Sequence, residues 1–149
     1  MTLIVTNRQA YHKYQLSDKY EAGIALRGAE VKSVRESRVN LKESFVRVVR
    51  GEAFLVNCHI SPYSHIQDIR LADPTRMRKL LLKRNEIDRL SGQMSRKGHT
   101  IVPLSIYFKK GLAKVEIAVA RGKQEYDKRE TIRRRIAERE AQRAIKRRK

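Results

Sequence analysis

Two apolar runs meet at a glycine turn: Thr100-Ile-Val-Pro-Leu-Ser-Ile-Tyr-Phe108, then Leu112-Ala-Lys-Val-Glu-Ile-Ala-Val-Ala120, joined by Lys109-Lys110-Gly111. Val102, Leu104, Ile106 and Phe108 alternate in the first run, and Val115, Ile117 and Val119 alternate in the second. That period of two is the pattern of half-buried strands, and a short glycine-containing link makes the pair a hairpin. Pro103 has no N–H for a ladder and is expected at an edge or a bulge. Working outward, Phe45–Arg50 and Ala53–Ile60 form a second hairpin across Gly51-Glu52. Near the start, His12, Tyr14 and Leu16 alternate along a strand, Ser17-Asp18-Lys19 reads as a turn, and Tyr20–Arg27 reads as the returning strand. Gly23 within it marks a bulge or a close approach.

Helical signals are fewer and shorter. Ala29–Glu36 follows Gly28, with Val31 and Val34 directed inward. Thr75 is a candidate cap for Arg76–Leu82, and Asn85 for a helix ending at Gly98 with Ile87, Leu90 and Met94 on one face. About six strands in hairpin pairs with short helices between them define a mainly β chain, a small antiparallel oligonucleotide-binding-like barrel. A mixed α+β sheet is the alternative.

Charge divides the chain differently. Residues 121–149 hold 13 Lys/Arg against 5 Asp/Glu, and residues 1–120 hold 22 against 11. The expected organisation is a β-barrel domain over 1–121 and a basic tail over 122–149. In the tail Ile132, Ile136, Ala137, Ala141, Ala144 and Ile145 lie roughly on one helical face beyond Thr131. Runs such as Arg133-Arg134-Arg135 oppose a free-standing helix, so the tail is expected to become helical against a polyanion. Two separately basic parts and a pI near 10.6 point to nucleic acid. An anionic membrane surface would want a broad apolar face opposite the cations, which no segment offers. With Cys58 the only cysteine, no intrachain disulfide is possible and a reducing cytoplasm fits. The opening residues do not read as a signal peptide, and no 18 apolar residues run together.

No catalytic constellation emerges. His12, His59, His65 and His99 are scattered, and Cys58-His59 points its two side chains to opposite faces of a strand. Glu21 and Glu30 are carboxylates without a nucleophile placed beside them. The expectation is no enzyme, no cofactor and no metal. Tyr11, Tyr14, Tyr20, Tyr63, Tyr107 and Tyr126 interleave with cations as stacking platforms for RNA bases, although Tyr107 in a core strand reads as packing. Glu21 repels phosphate. It is either a surface partner of Lys19 or an acceptor for ribose hydroxyls and base amino groups, which would add specificity.

Several stretches together resemble one family: Asn7-Arg8, Tyr20-Glu-Ala-Gly-Ile24, Gly28-Ala-Glu-Val-Lys-Ser33, Asn40-Leu41, Gly51-Glu52, His59-Ile-Ser61, Arg78-Lys-Leu-Leu-Leu82, Gly122-Lys123 and Tyr126-Asp-Lys-Arg-Glu130. The ordered set, covering the chain from Asn7 onward, is similar to the SsrA-binding protein (small protein B) family. The resemblance implies an oligonucleotide-binding-like barrel and a tail. It implies binding of the tRNA-like part of transfer-messenger RNA (tmRNA) and its delivery to stalled bacterial ribosomes for trans-translation. It also implies a tail that folds as a helix in the empty message channel at the small-subunit decoding centre. Its RNA-binding positions fall on Asn7, His12, Tyr14, Glu21, Leu81 and Lys114. Its tail positions fall on Gly122, Lys123, Tyr126, Asp127, Lys128 and Arg129, with histidine standing at the position of Tyr126 in some members. By residues alone, a structural ribosomal RNA-binding protein remains the alternative.

Overall fold

The glycine-turn hairpin is the spine of the sheet. The computed structural model describes residues 1–62 and 73–122, together with Arg139. In chain order the elements are β1 (Thr2–Thr6), α1 (Arg8–Lys13), β2 (Tyr14–Ile24), α2 (Gly28–Arg35), β3 (Val39–Asn40), β4 (Phe45–Val49), β5 (Glu52–Val56), β6 (His59–Ile60), β7 (Arg78–Leu81), α3 (Arg84–Met94), β8 (His99–Lys109) and β9 (Leu112–Gly122). Seven strands form one antiparallel sheet in the order β1-β8-β9-β2-β7-β5-β4, and β3 pairs with β6 in a small ribbon. The sheet curls so that β4 packs back against β8, and α3 lies against β4, β8 and β9. Inside sit Ala22, Val46, Leu55, Leu80, Ile106 and Ile117, joined by Leu90 from α3. Val34 is buried and Val31 partly so, as expected of α2. Among the described residues no helix is long and apolar enough to cross a membrane.

Two turns carry backbone that glycine favours. Arg50 and Gly51 (φ 50° and 76°) close β4 onto β5, and Lys110 and Gly111 (φ 52° and 76°) close β8 onto β9. Both turns therefore stand where the sequence puts them, but the run Ala53–Ile60 breaks after Val56 at Asn57 (φ 62°), and His59–Ile60 pairs with β3 instead.

Several expectations change; the helix expected from Asn85 to Gly98, for one, spans Arg84–Met94 with Lys83 as its N-cap. Residues 8–13 are helical, not extended, because the Asn7 side chain accepts from the Ala10 N–H at 3.3 Å and starts a helix there. Ser17-Asp18-Lys19 is not a turn: β2 runs straight through, with Asp18 (φ 38°) as an extra residue in the ladder. Gln93 on α3 donates to its carboxylate at 2.6 Å and fixes it there. Residues 78–81 form a strand, not a helix, since they fill the gap between β2 and β5 and bond to both. Thr75 instead donates its N–H to the Asp73 side chain at 3.0 Å, closing a local turn.

The bulges decide which residues face outward. Along β2 the partners on β9 run Leu16↔Ala120, then Lys19↔Ala118, Glu21↔Glu116 and Gly23↔Lys114. Along β8 they run Val102↔Ala118, Pro103↔Ile117, then Ser105↔Glu116 and Tyr107↔Lys114, with Leu104 left over beside Pro103. Each surplus residue reverses the alternation beyond it. Val102 and Leu104 therefore pack outward under Ala10 of α1, with Ala118 and Ala120. Ile106 and Phe108 turn inward, so the four alternating residues of this strand do not share one face. On β9, Val115, Ile117 and Val119 all face the inner core as expected.

One ion cluster anchors β7. Arg78 is fully buried; its Nε donates to Glu30 Oε2 at 2.7 Å, and its two terminal nitrogens donate to the carbonyls of Cys58 (2.6 Å) and Pro74 (3.0 Å). Glu30 also accepts from Arg76 and from the Arg27 N–H at 2.8 Å, which caps α2. Burial pushes the Glu30 carboxyl up, but hydrogen bonds from Arg76, Arg27 and Arg78 outweigh it and hold it below the ordinary carboxylate value. Burial pushes the Cys58 thiol up to about 11, which leaves it unreactive while folded.

Glu30→Gln is expected to cost about 3–5 kcal/mol of stability, because it leaves a buried guanidinium without its counter-charge. A depressed carboxyl stabilises fully above its unfolded value, and that part is lost as pH falls through the folded value. Denaturant titrations at several pH values test both points: the acid-dependent loss should shrink in the variant, and a cost under about 1 kcal/mol would refute the anchoring role.

Candidate nucleic-acid interface

The outer face of the sheet carries a row that crosses four strands. Leu81 on β7 pairs with Gly23 on β2, Gly23 with Lys114 on β9, and Lys114 with Tyr107 on β8. Leu81 is 56% exposed, and Lys114 is half-buried. Gly23 is a close approach, since a Cβ there would lie 3.2 Å from the Leu81 Cβ. A side chain at Gly23 would push Leu81 out of the row.

Glu21 stands in the neighbouring row, directly opposite Glu116. Two carboxylates facing each other repel, so cations and donors must hold them. Lys109 Nζ lies 3.6 Å from Glu21 Oε2, and the Tyr107 hydroxyl donates to that same oxygen. The Tyr107 hydrogen bond, aided by Lys109 and Lys114, keeps the Glu21 carboxyl below its usual range. Burial and then the bond to Glu21 push the Tyr107 phenol well above its usual value, so it remains a donor. Tyr107 is packed as the sequence suggests, at 5% exposure, yet its polar end reaches this outer face.

The same face continues under α1. Tyr14 and Leu16 pack on Ala10, Val102 and Ala120, and Lys13 Nζ sits 5.5 Å from the centre of the Tyr14 ring. His12 is exposed in the last turn of α1. Beside them opens a groove of about 260 Å³ lined by Gln9, Lys13, Tyr14, Glu43, Phe45 and Thr100. Asn7 differs from the rest. It is buried, and its amide donates to the carbonyls of Pro103 (2.9 Å) and Leu41 (3.4 Å) while capping α1.

The geometry thus gathers Tyr14, Glu21, Leu81 and Lys114 on one face, sets His12 at its rim and puts Asn7 behind it. Glu30 belongs to the ion cluster and is not a partner of Glu21. Gly122 ends β9 opposite Tyr14, so the chain leaves the sheet beside this face. Lys123, Tyr126, Asp127, Lys128 and Arg129 lie outside the described residues, as do Tyr63, His65 and the expected tail helix. Sequence reasoning missed Lys109 and the hydroxyl of Tyr107, because the bulge that turns Tyr107 outward leaves no mark on the alternation. Among the described residues no group of three or more His, Cys, Asp or Glu could hold a metal ion.

A small antiparallel barrel with a cation-bearing outer face is the form taken by oligonucleotide-binding folds. A family model described as SmpB protein matches residues 4–147. The SsrA-binding protein of Caldanaerobacter subterraneus subsp. tengcongensis is 55% identical over 144 residues, covering 97% of this chain and 90% of that protein. That of Rubrobacter xylanophilus is 54% identical over 148 residues, covering 99% and 98%. A chain of a solved structure of tmRNA-SmpB and the bacterial ribosome aligns with a TM-score of 0.68 at 48% identity, over 80% of this chain and 83% of that one. The chain belongs to the SmpB protein family.

Asn7→Ala separates support from contact. It removes a helix cap and leaves two buried carbonyls without their donor, at an expected cost of about 2 kcal/mol. Chemical denaturation reads the loss directly. A variant as stable as the parent would mean the side chain does its work at the surface.

Proposed function

We propose that this protein is an RNA-binding adaptor of trans-translation. It binds the tRNA-like part of tmRNA through the outer face of its barrel and carries that RNA to ribosomes stalled without a usable stop codon. The observation that carries the reading is the family match over residues 4–147, which takes in the barrel and the basic tail alike. The charge distribution supports it, since both parts are separately cationic.

On the barrel, Lys114 supplies charge, His12 a ring with an N–H donor, Tyr14 a stacking ring, Leu81 an apolar contact, and Glu21 an acceptor for RNA donors. Asn7 acts from behind by holding α1. In residues 122–149, Gly122 and Lys123 lead the tail away, Tyr126 stacks on a ribosomal base, and Asp127, Lys128 and Arg129 set its path in the message channel of the small subunit. The work is recognition in the cytoplasm, without catalysis or cofactor.

Ending the chain after Gly122 leaves β9 whole and removes the tail. Binding to isolated tmRNA is expected to stay within about threefold, while tagging on stalled ribosomes is abolished. A truncated chain that tags normally would overturn the role of the tail. For the barrel, neutralising about five phosphates predicts a log–log slope of affinity against salt of roughly −4, and a flat response would remove the electrostatic basis of the face.

A further inference from the structure

Glu21 is a carboxylate on the binding face of a chain with net charge +19, and how it is held bears on what it can do. Both protein contacts fall on one of its oxygens. The Tyr107 hydroxyl donates to Oε2, and Lys109 Nζ lies 3.6 Å from Oε2. Among the described residues no hydrogen bond or ion pair reaches Oε1. An ionised carboxylate can accept on both oxygens, so one is occupied by the protein and one is left over.

We propose that Tyr107 is a positioning residue of the RNA-binding face, which with Lys109 takes up Oε2 of Glu21 and presents Oε1 as the acceptor for an N–H or O–H donor of bound RNA. This deepens, and rests on, the reading of Glu21 as an RNA contact. Tyr107 lies on β8 and Glu21 on β2, so the ring spans β9 between them. The ring is almost wholly covered, so the hydroxyl starts from a fixed point. A hydroxyl donating to a carboxylate is a charge-assisted bond. It holds the side chain in one orientation before RNA arrives, which removes an ordering cost from binding.

The charged and titratable groups around Glu21 are few. Lys109 and Tyr107 face it from β8, Lys114 and Glu116 from β9, and Lys19 from its own strand. On β7 the near residue is the uncharged Leu81, and Lys79 is drawn to Glu52 at 3.5 Å.

The test uses the full chain, transcribed tmRNA, and the variants Tyr107→Phe, Glu21→Gln and the two combined. Tyr107→Phe keeps the ring and removes the hydroxyl; it is expected to weaken binding about tenfold near neutral pH, the scale of one bond to a charged group. In the Glu21→Gln background it should add less than about twofold, because the two act through one oxygen pair. The pH profile gives a readout that ring packing would not move. Losing the hydroxyl lifts the Glu21 carboxyl back towards its ordinary value, so as pH falls from about 6 to about 4 the variant should lose more affinity than the parent. A carboxyl titration by NMR in the absence of RNA should show the same upward shift. If Glu21→Gln weakens binding but Tyr107→Phe does not, or the two losses add with an unchanged pH profile, the positioning role is overturned. If Glu21→Gln binds as tightly as the parent, the reading of Glu21 as a contact falls, and this proposal with it.

Discussion

A guanidinium with no access to water has to be met on every side, and the surroundings of Arg78 are arranged to do so. Glu30 supplies the counter-charge, while the carbonyls of Cys58 and Pro74 each accept from one of the two terminal nitrogens. An unpaired charge at this depth would cost several kcal/mol, so the three partners cannot drift independently. The cluster therefore fixes where α2 starts, where Pro74 lies ahead of the sheet, and where β7 lies between β2 and β5. Leu81 sits three residues further along β7, so its place beside Gly23 follows from the same constraint.

The second constraint is parity. Without the extra residue at Asp18, Tyr14 and Leu16 would face away from Glu21 and Gly23. Without the extra residue at Leu104, Tyr107 would face away from Val102. With both, β2 and β8 change phase against a regular β9, and one outer face runs from α1 to Leu81. The bulge in β2 is held by a contact to α3, where Gln93 bridges Asp18 and the Tyr20 hydroxyl. The helix that lies against β4, β8 and β9 thus also helps to aim the outer face.

On that face charge and shape have separate tasks. Cations attract any polyanion and carry little sequence information. In the proposed role, a carboxylate held by a tyrosine and a lysine weakens indiscriminate attraction and accepts only from a donor in the right place. Gly23 keeps the row low, so that Leu81 can lie over the backbone. Gly122, the last residue of β9, lies opposite Tyr14 at the edge of the same surface.

Much of this was legible in the sequence. The two glycine-turn hairpins, the inward stripe of β9, the helix carrying Leu90 and the basic balance follow from local spacing and composition, which require no knowledge of partners. The helix at Arg8–Lys13 was within reach through the Asn7 cap, and was hidden by a chance alternation of His12, Tyr14 and Leu16. Residues 78–81 could not be assigned from their own pattern, because so short a segment as Arg-Lys-Leu-Leu becomes a strand only when two neighbours offer it ladder bonds. The phase changes at Asp18 and Leu104 are likewise tertiary: a bulge is a mismatch between two strands, and neither strand shows it alone. The sequence by itself thus determined a basic, mainly β nucleic-acid binder with candidate residues. Only the packed sheet decided that Tyr107 and Glu21 meet across β9, since side chains on non-adjacent strands find each other through register.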